Sequence, residues 1–120
     1  NACHTGAHSC FFTALHTTGD REPSLAQVLV TLAEVIHQRK SELPEGSYTT
    51  YLFQSGLDKI LKKVGEEAAE TIIAAKNRNR QEIVREVADL FYHLLVLLEA
   101  EQVSLSDIAL ELSARAMKNK

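Results

Sequence analysis

Five carboxylates stand at a spacing that can do chemistry. Glu66, Glu67 and Glu70 fall within GEEAAE (65–70), and after fifteen intervening residues Glu86 and Asp89 follow, three apart. Carboxylates gathered in one place repel one another unless something neutralises them. A hard divalent cation does this well: magnesium takes oxygen ligands, keeps several waters and often binds phosphates too. Such an ion steadies charge developing on a phosphoryl group and acidifies a bound water. An i, i+3 pair projects two carboxylates from one side of a helix. A solvated helix face has the same spacing, so E-E-x-x-E alone does not choose. Glu86-x-x-Asp89 runs straight into the apolar string LFYHLLVLL (90–98), which is harder to read as solvent decoration. The geometry leaves a metal site and an ion-paired surface both open.

Helices must position these acids. Leu, Ala, Glu and Lys dominate the chain, with five glycines and two prolines in 120 residues, a helix-favouring composition. Ser24 caps a first helix over about 24–40, carrying Leu25, Val28, Leu29, Leu32, Val35 and Ile36 at helical spacing. SELPEGS (41–47) reads as a loop, YTTYLFQS as a short helix ending at Ser55, and Gly56 as its breaker. A long helix spans about Leu57 to Lys76, with Leu57, Ile60, Leu61, Val64, Ala68, Ile72 and Ala75 as its apolar face. NRNR (77–80) is a turn. A helix from about Gln81 to Glu101 then turns Ile83, Val84, Val87, Leu90, Phe91, Leu94, Leu95 and Leu98 inward, and Ser104 caps a last one over roughly 105–117. The fold class is all-α: a bundle of four to five helices with short turns and antiparallel neighbours, preceded by an irregular arm.

On a wheel of about 100° per residue, Glu67 lies roughly 80° from an apolar centre near Val64 and Leu57, Glu70 about 140°, and Glu66 farther out. Glu67 is thus expected at the border of the buried face. Glu86, Asp89 and His93 form a similar row on the next helix, so two antiparallel helices can bring Glu67, Glu70, Glu86 and Asp89 beside one groove. His93 reads as a core-edge histidine with a hydrogen-bond partner, with a place behind Asp89 as the alternative. Tyr48 and Tyr51 suit either stacking on a base or packing on the bundle.

Composition bounds the function. Hydrophobic residues make up 45% and charged residues 24%, an ordinary globular balance, and the formal charge of −3 argues against a general nucleic-acid binder. A small anionic substrate stays open, because one cluster of lysines suffices for it. No stretch approaches the roughly 20 apolar residues of a membrane span, and no signal-peptide pattern is present. Cys3 and Cys10 make a poor disulfide framework, so a cytoplasmic chain with reduced thiols is expected.

The motif Glu66-Glu67-x-x-Glu70…Glu86-x-x-Asp89 resembles the signature of the all-α (MazG-type) NTP pyrophosphohydrolases. The wider strings SYTTYLFQSGLDKILKKVGEEAAETIIAAK and EIVREVADLFYHLLVLL closely resemble the phosphoribosyl-ATP pyrophosphohydrolases of histidine biosynthesis, over about residues 24–118. The resemblance implies a homodimeric helical bundle that splits phosphoribosyl-ATP into phosphoribosyl-AMP and pyrophosphate. It implies Mg2+ held by Glu67, Glu70, Glu86 and Asp89, with Glu66 as a further ligand or orienting the attacking water. Lys59, Lys62 and Lys63 become candidate phosphate contacts, Lys63 the best placed on the wheel; each also reads as an exposed helix charge. The rivals are a house-cleaning NTP pyrophosphatase of the same superfamily and a non-catalytic helical dimerisation module.

The arm, residues 1–23, carries a second resemblance. ACHTGAHSCF is similar to the C-terminal end of phosphoribosyl-AMP cyclohydrolase, in which the matching cysteines are zinc ligands. Cys3 and Cys10 are the corresponding residues here, and His4 matches a histidine thought to assist catalysis. The third zinc ligand and the acids of a second metal site have no counterpart in this chain. Zinc is therefore expected only in an intact cyclohydrolase domain, and free thiols are expected here, with adventitious zinc on Cys3, Cys10 and His4 or His8 as the alternative. The resemblance implies the second half of a bifunctional protein: a cyclohydrolase remnant and linker over 1–23, and the pyrophosphohydrolase domain over 24–120.

Overall fold

The computed structural model describes residues 22–118. The arm, with Cys3, His4, His8 and Cys10, lies outside the described residues apart from Glu22 and Pro23. The described chain is all-α: α1 (Leu25–Glu42), α2 (Tyr48–Ser55), α3 (Leu57–Lys76), α4 (Arg80–Ala100) and α5 (Leu105–Lys118). It divides into two compact units, with the break between Tyr51 and Leu52 inside α2.

Local chemistry places each boundary. The Ser24 hydroxyl accepts from the Gln27 N–H at 3.3 Å and starts α1. Expected to end near residue 40, α1 runs on to Glu42, because Leu43 takes a left-handed conformation (φ 47°) and its N–H closes on the Arg39 carbonyl. Pro44 then cannot continue the helix. In the same unit Arg39 donates to the Ser47 hydroxyl at 3.4 Å, and the Thr50 N–H donates to it at 3.3 Å, which caps α2. Gly56, at φ 100° and ψ 178°, adopts a conformation essentially reserved for glycine and separates α2 from α3. The α4 helix begins at Arg80 rather than Gln81, because the Asn79 side chain accepts from the Glu82 N–H at 3.1 Å. Ser104 and Asp107 cap α5 reciprocally: Ser104 N–H donates to Asp107 Oδ2 at 3.0 Å, and Asp107 N–H to Ser104 Oγ at 3.1 Å.

Within the second unit α3 and α4 form an antiparallel hairpin about the Asn77–Asn79 turn. The hairpin corrects the expected helix faces. On α3 the buried residues are Ile60, Glu67 and Ala74, spaced by sevens and therefore in one row along the helix. That row is turned by about 80° from the expected centre at Leu57. Leu57, Leu61 and Ile72, expected inward, are exposed, Ile72 at 63%. On α4, Val84 was expected inside and is 62% exposed; His93, Leu95 and Val96 are buried. The physical reason is simple. One antiparallel neighbour covers one stripe of a helix, whereas apolar periodicity sums every apolar surface, covered or not. Among the described residues no helix is long and apolar enough to cross a membrane.

Candidate metal centre

The turned row puts an acid where an aliphatic residue would ordinarily sit. Glu67 lies between Ile60 and Ala74 in the strip of α3 that faces α4, and only 6% of it is exposed. Its backbone carbonyl also accepts from the Thr71 hydroxyl at 2.8 Å, a back-bond to the preceding turn. One turn along α3 stands Glu70, and across the hairpin, on α4, stands Glu86. One carboxylate oxygen from each of Glu67, Glu70 and Glu86 lies within 4.8 Å of the other two.

The electrostatics of this triad are those of crowded acids. Burial raises the Glu67 carboxyl above its ordinary value, and the charges of Glu70 and Asp89 push the same way. Glu86 is pushed up to about 7, first by a hydrogen bond shared with Glu70, then by burial and by Glu67. The contact between Glu67 and Glu86 raises Glu86 and lowers Glu67. Glu67 Oε1 and Glu86 Oε1 are both buried and have no hydrogen-bond partner. A buried polar atom left unpaired is costly and calls for an ion, a water or a functional reason.

The residues fit a hard cation. All three donors are carboxylate oxygens, the set magnesium prefers, and two oxygens at about 2.1 Å from one ion stand no more than about 4.2 Å apart. Small side-chain rotations separate the observed arrangement from that limit. Two orphaned oxygens supply the reason for such an ion to enter.

The other candidate residues fall around this core. Asp89 is exposed and outside the three-oxygen group, although its charge reaches Glu67. Glu66 is also outside, paired with Lys63 Nζ at 3.3 Å; the same nitrogen lies 3.9 Å from Glu67 Oε2. Lys59 is half-buried and Lys62 exposed. His93 is buried rather than at the core edge; its Nδ1–H donates to the Asp89 carbonyl at 2.8 Å, and its ring stands edge-on to Tyr92. It therefore holds the main chain at Asp89. In the first unit the exposed Tyr48 and Tyr51 rings stack at 6.0 Å. Thr71 was not singled out from sequence; a threonine four residues after a key helical acid was its only signal.

An all-α hairpin that brings three carboxylates from its two helices together defines the class: a helical protein with an acid cluster compatible with a metal ion. The particular family follows from sequence. The family model of phosphoribosyl-ATP pyrophosphohydrolase matches residues 29–116, and the chain belongs to that family. It is 62% identical over 91 residues to a phosphoribosyl-ATP pyrophosphatase of Listeria welshimeri, covering 76% of this chain and 87% of that protein. It is 53% identical over 107 residues to the histidine biosynthesis bifunctional protein HisIE of Bacillus subtilis, covering 89% of this chain and 50% of that one. With the protein of the same name from Halalkalibacterium halodurans it shares 50% identity over 119 residues, or 95% and 54% of the two chains. The chain thus spans about half the length of these bifunctional relatives.

Proposed function

We propose that the chain hydrolyses phosphoribosyl-ATP to phosphoribosyl-AMP and pyrophosphate in histidine biosynthesis, in the cytoplasm, with Mg2+ held by Glu67, Glu70, Glu86 and Asp89. The observation that carries this is the pair of orphaned oxygens, Glu67 Oε1 and Glu86 Oε1, inside the acid triad. A buried Glu67 beside two further acids has no use in a mere helix-pairing module, where an apolar residue of similar volume would hold the hairpin better. The family match and the printed name of the Listeria relative support the substrate.

When bound, Mg2+ supplies charge neutralisation on the phosphate oxygens. The chain's own residues do the rest. Glu67, Glu70 and Glu86 hold their carboxylates on two braced helices, so little reorganisation is needed as charge develops. Glu66, at the solvent edge of the row, accepts a proton as a water oxygen bonds to phosphorus. The bridging α–β P–O bond breaks and pyrophosphate leaves. Lys59, Lys62 and Lys63 line the same helix as phosphate contacts.

The exposed apolar residues Leu57, Leu61 and Ile72 of α3 and Val84 of α4 support a homodimer, since large apolar patches mark association surfaces. The arm over 1–23 is read as the end of a cyclohydrolase domain, in keeping with relatives named as bifunctional.

Pyrophosphate release from phosphoribosyl-ATP, with and without Mg2+, tests the reading. Glu67→Gln and Asp89→Asn should each lower turnover by at least about 100-fold, beyond the usual cost of disturbing a residue behind a metal ligand, with helicity by circular dichroism unchanged. Turnover at the parent rate in both variants would reduce the acids to surface charges.

A further inference from the structure

The flank of the acid row holds a cation of the protein's own. Lys63 sits one turn before Glu67 on α3, and its ammonium bridges two carboxylates: Glu66 Oε1 at 3.3 Å and Glu67 Oε2 at 3.9 Å. The two ends of this bridge differ. The Glu66 side chain is 43% exposed, whereas that of Glu67 is 8% exposed. An exposed i, i+3 pair alone is worth little. Contact with a buried carboxylate is another matter, because low local polarity strengthens the attraction and solvent screens it less. Glu67 also divides its oxygens: Oε2 faces Lys63, and Oε1 is buried without a partner. The acid that most needs a positive charge therefore has half of one, from the side. The lysine side chain is 29% exposed, and its flexible four-carbon stem lets the ammonium swing toward solvent.

We propose that Lys63 is an exchangeable counter-cation: it neutralises Glu66 and Glu67 while the site is free, competes with a divalent ion for them, and turns to the anionic phosphates of the substrate once that ion has taken the acids. This rests on the metal site proposed above and adds to it a stated antagonism. A lysine that only contacts phosphate strengthens substrate binding and leaves the metal alone. A lysine that only braces Glu67 strengthens metal binding. An exchanging lysine weakens metal binding in the absence of substrate and strengthens substrate binding in its presence.

The experiment reads the two effects separately. Mg2+ affinity is measured by calorimetric titration without substrate for the parent, Lys63→Met and Lys63→Arg, with Lys118→Met, on the exposed end of α5, as a control for net charge. Removing a positive charge about 6 Å from a divalent ion in a water-like medium should tighten binding roughly 3- to 10-fold at low salt. The expected result is tighter Mg2+ binding and a raised KM for phosphoribosyl-ATP in Lys63→Met, with both restored in Lys63→Arg and neither changed in Lys118→Met. Unchanged or weaker Mg2+ binding in Lys63→Met overturns the exchange, as does an unchanged KM alongside tighter metal. A parent that binds no Mg2+ overturns the metal site and the exchange together. A parent that binds Mg2+ with the predicted Lys63 effect, yet releases no pyrophosphate from phosphoribosyl-ATP, overturns the proposed substrate and leaves the competition for the acids standing.

Discussion

Glu86 shows what one side chain can do to the stability of the fold. Its pKa in the folded protein is about 7 against an ordinary 4.5, so between those values the folded state binds more protons than the unfolded chain. Stability must then fall as pH rises through that window. The favourable contribution is complete below about pH 4.5 and gone above about pH 7. This is the reverse of a salt-bridged carboxylate, because the partners here are other acids. In the presence of a chelator, the melting temperature of the parent should fall more from pH 5 to pH 8 than that of Glu86→Gln, and Mg2+ should restore it at pH 8 in the parent alone. Parallel pH profiles for the two proteins would show that the triad carries no such strain. The acids themselves were legible in the sequence by type and spacing. Glu67 was also expected to lie nearest the buried face; its full burial, and Glu70 being more exposed than Glu66, were not legible, because no wheel shows which strip a neighbour will cover.

At the scale of helices, legibility followed local chemistry. Ser24, Gly56 and Ser104 act through their own backbone neighbourhoods, and the boundaries they set fall at or beside their expected positions. Where a boundary shifted, the cause was either a backbone angle with no sequence signal, as at the left-handed Leu43, or a good cap hidden in a segment that reads as a turn, as at Asn79. The α5 helix depends most on such local terms, since no residue in it is buried. Beyond its cap, it has the Glu111–Arg115 pair at 2.8 Å, which is exposed and weak. Ser104→Ala should therefore cost α5 about 1 kcal/mol, seen as about fivefold faster amide exchange in its first turns, with Mg2+ affinity unchanged. Equal exchange rates would mean that something other than the cap holds α5 in place.

For the molecule as a whole, the gap between expectation and structure is itself informative. Leu57, Leu61, Ile72 and Val84 were expected inside and are exposed. Periodicity reports apolar surface, not whether or by what it is covered. If a second copy covers them, Ile72→Glu or Val84→Glu should convert a sedimenting dimer to a monomer at micromolar concentration, with α-helical content largely retained. A parent that sediments as a monomer across that range would leave the patch without this use. The proposed substrate lies beyond what residue types alone could reach; it rests on the resemblance of extended strings such as KKVGEEAAE and ADLFYHLLVLL and on the family match over residues 29–116.

The three-residue turn between α3 and α4 has a consequence in folding time. Glu67 and Glu86 meet through a connection made wholly of local chain, so closing that loop costs little entropy, and contacts of this kind form early. An ion seated between them would act as a clasp on a hairpin that is already folded, slowing its opening more than it speeds its closure. In the cell, the acids that weaken the empty hairpin would become its latch, and occupancy of the site would set how long the hairpin stays shut to proteases.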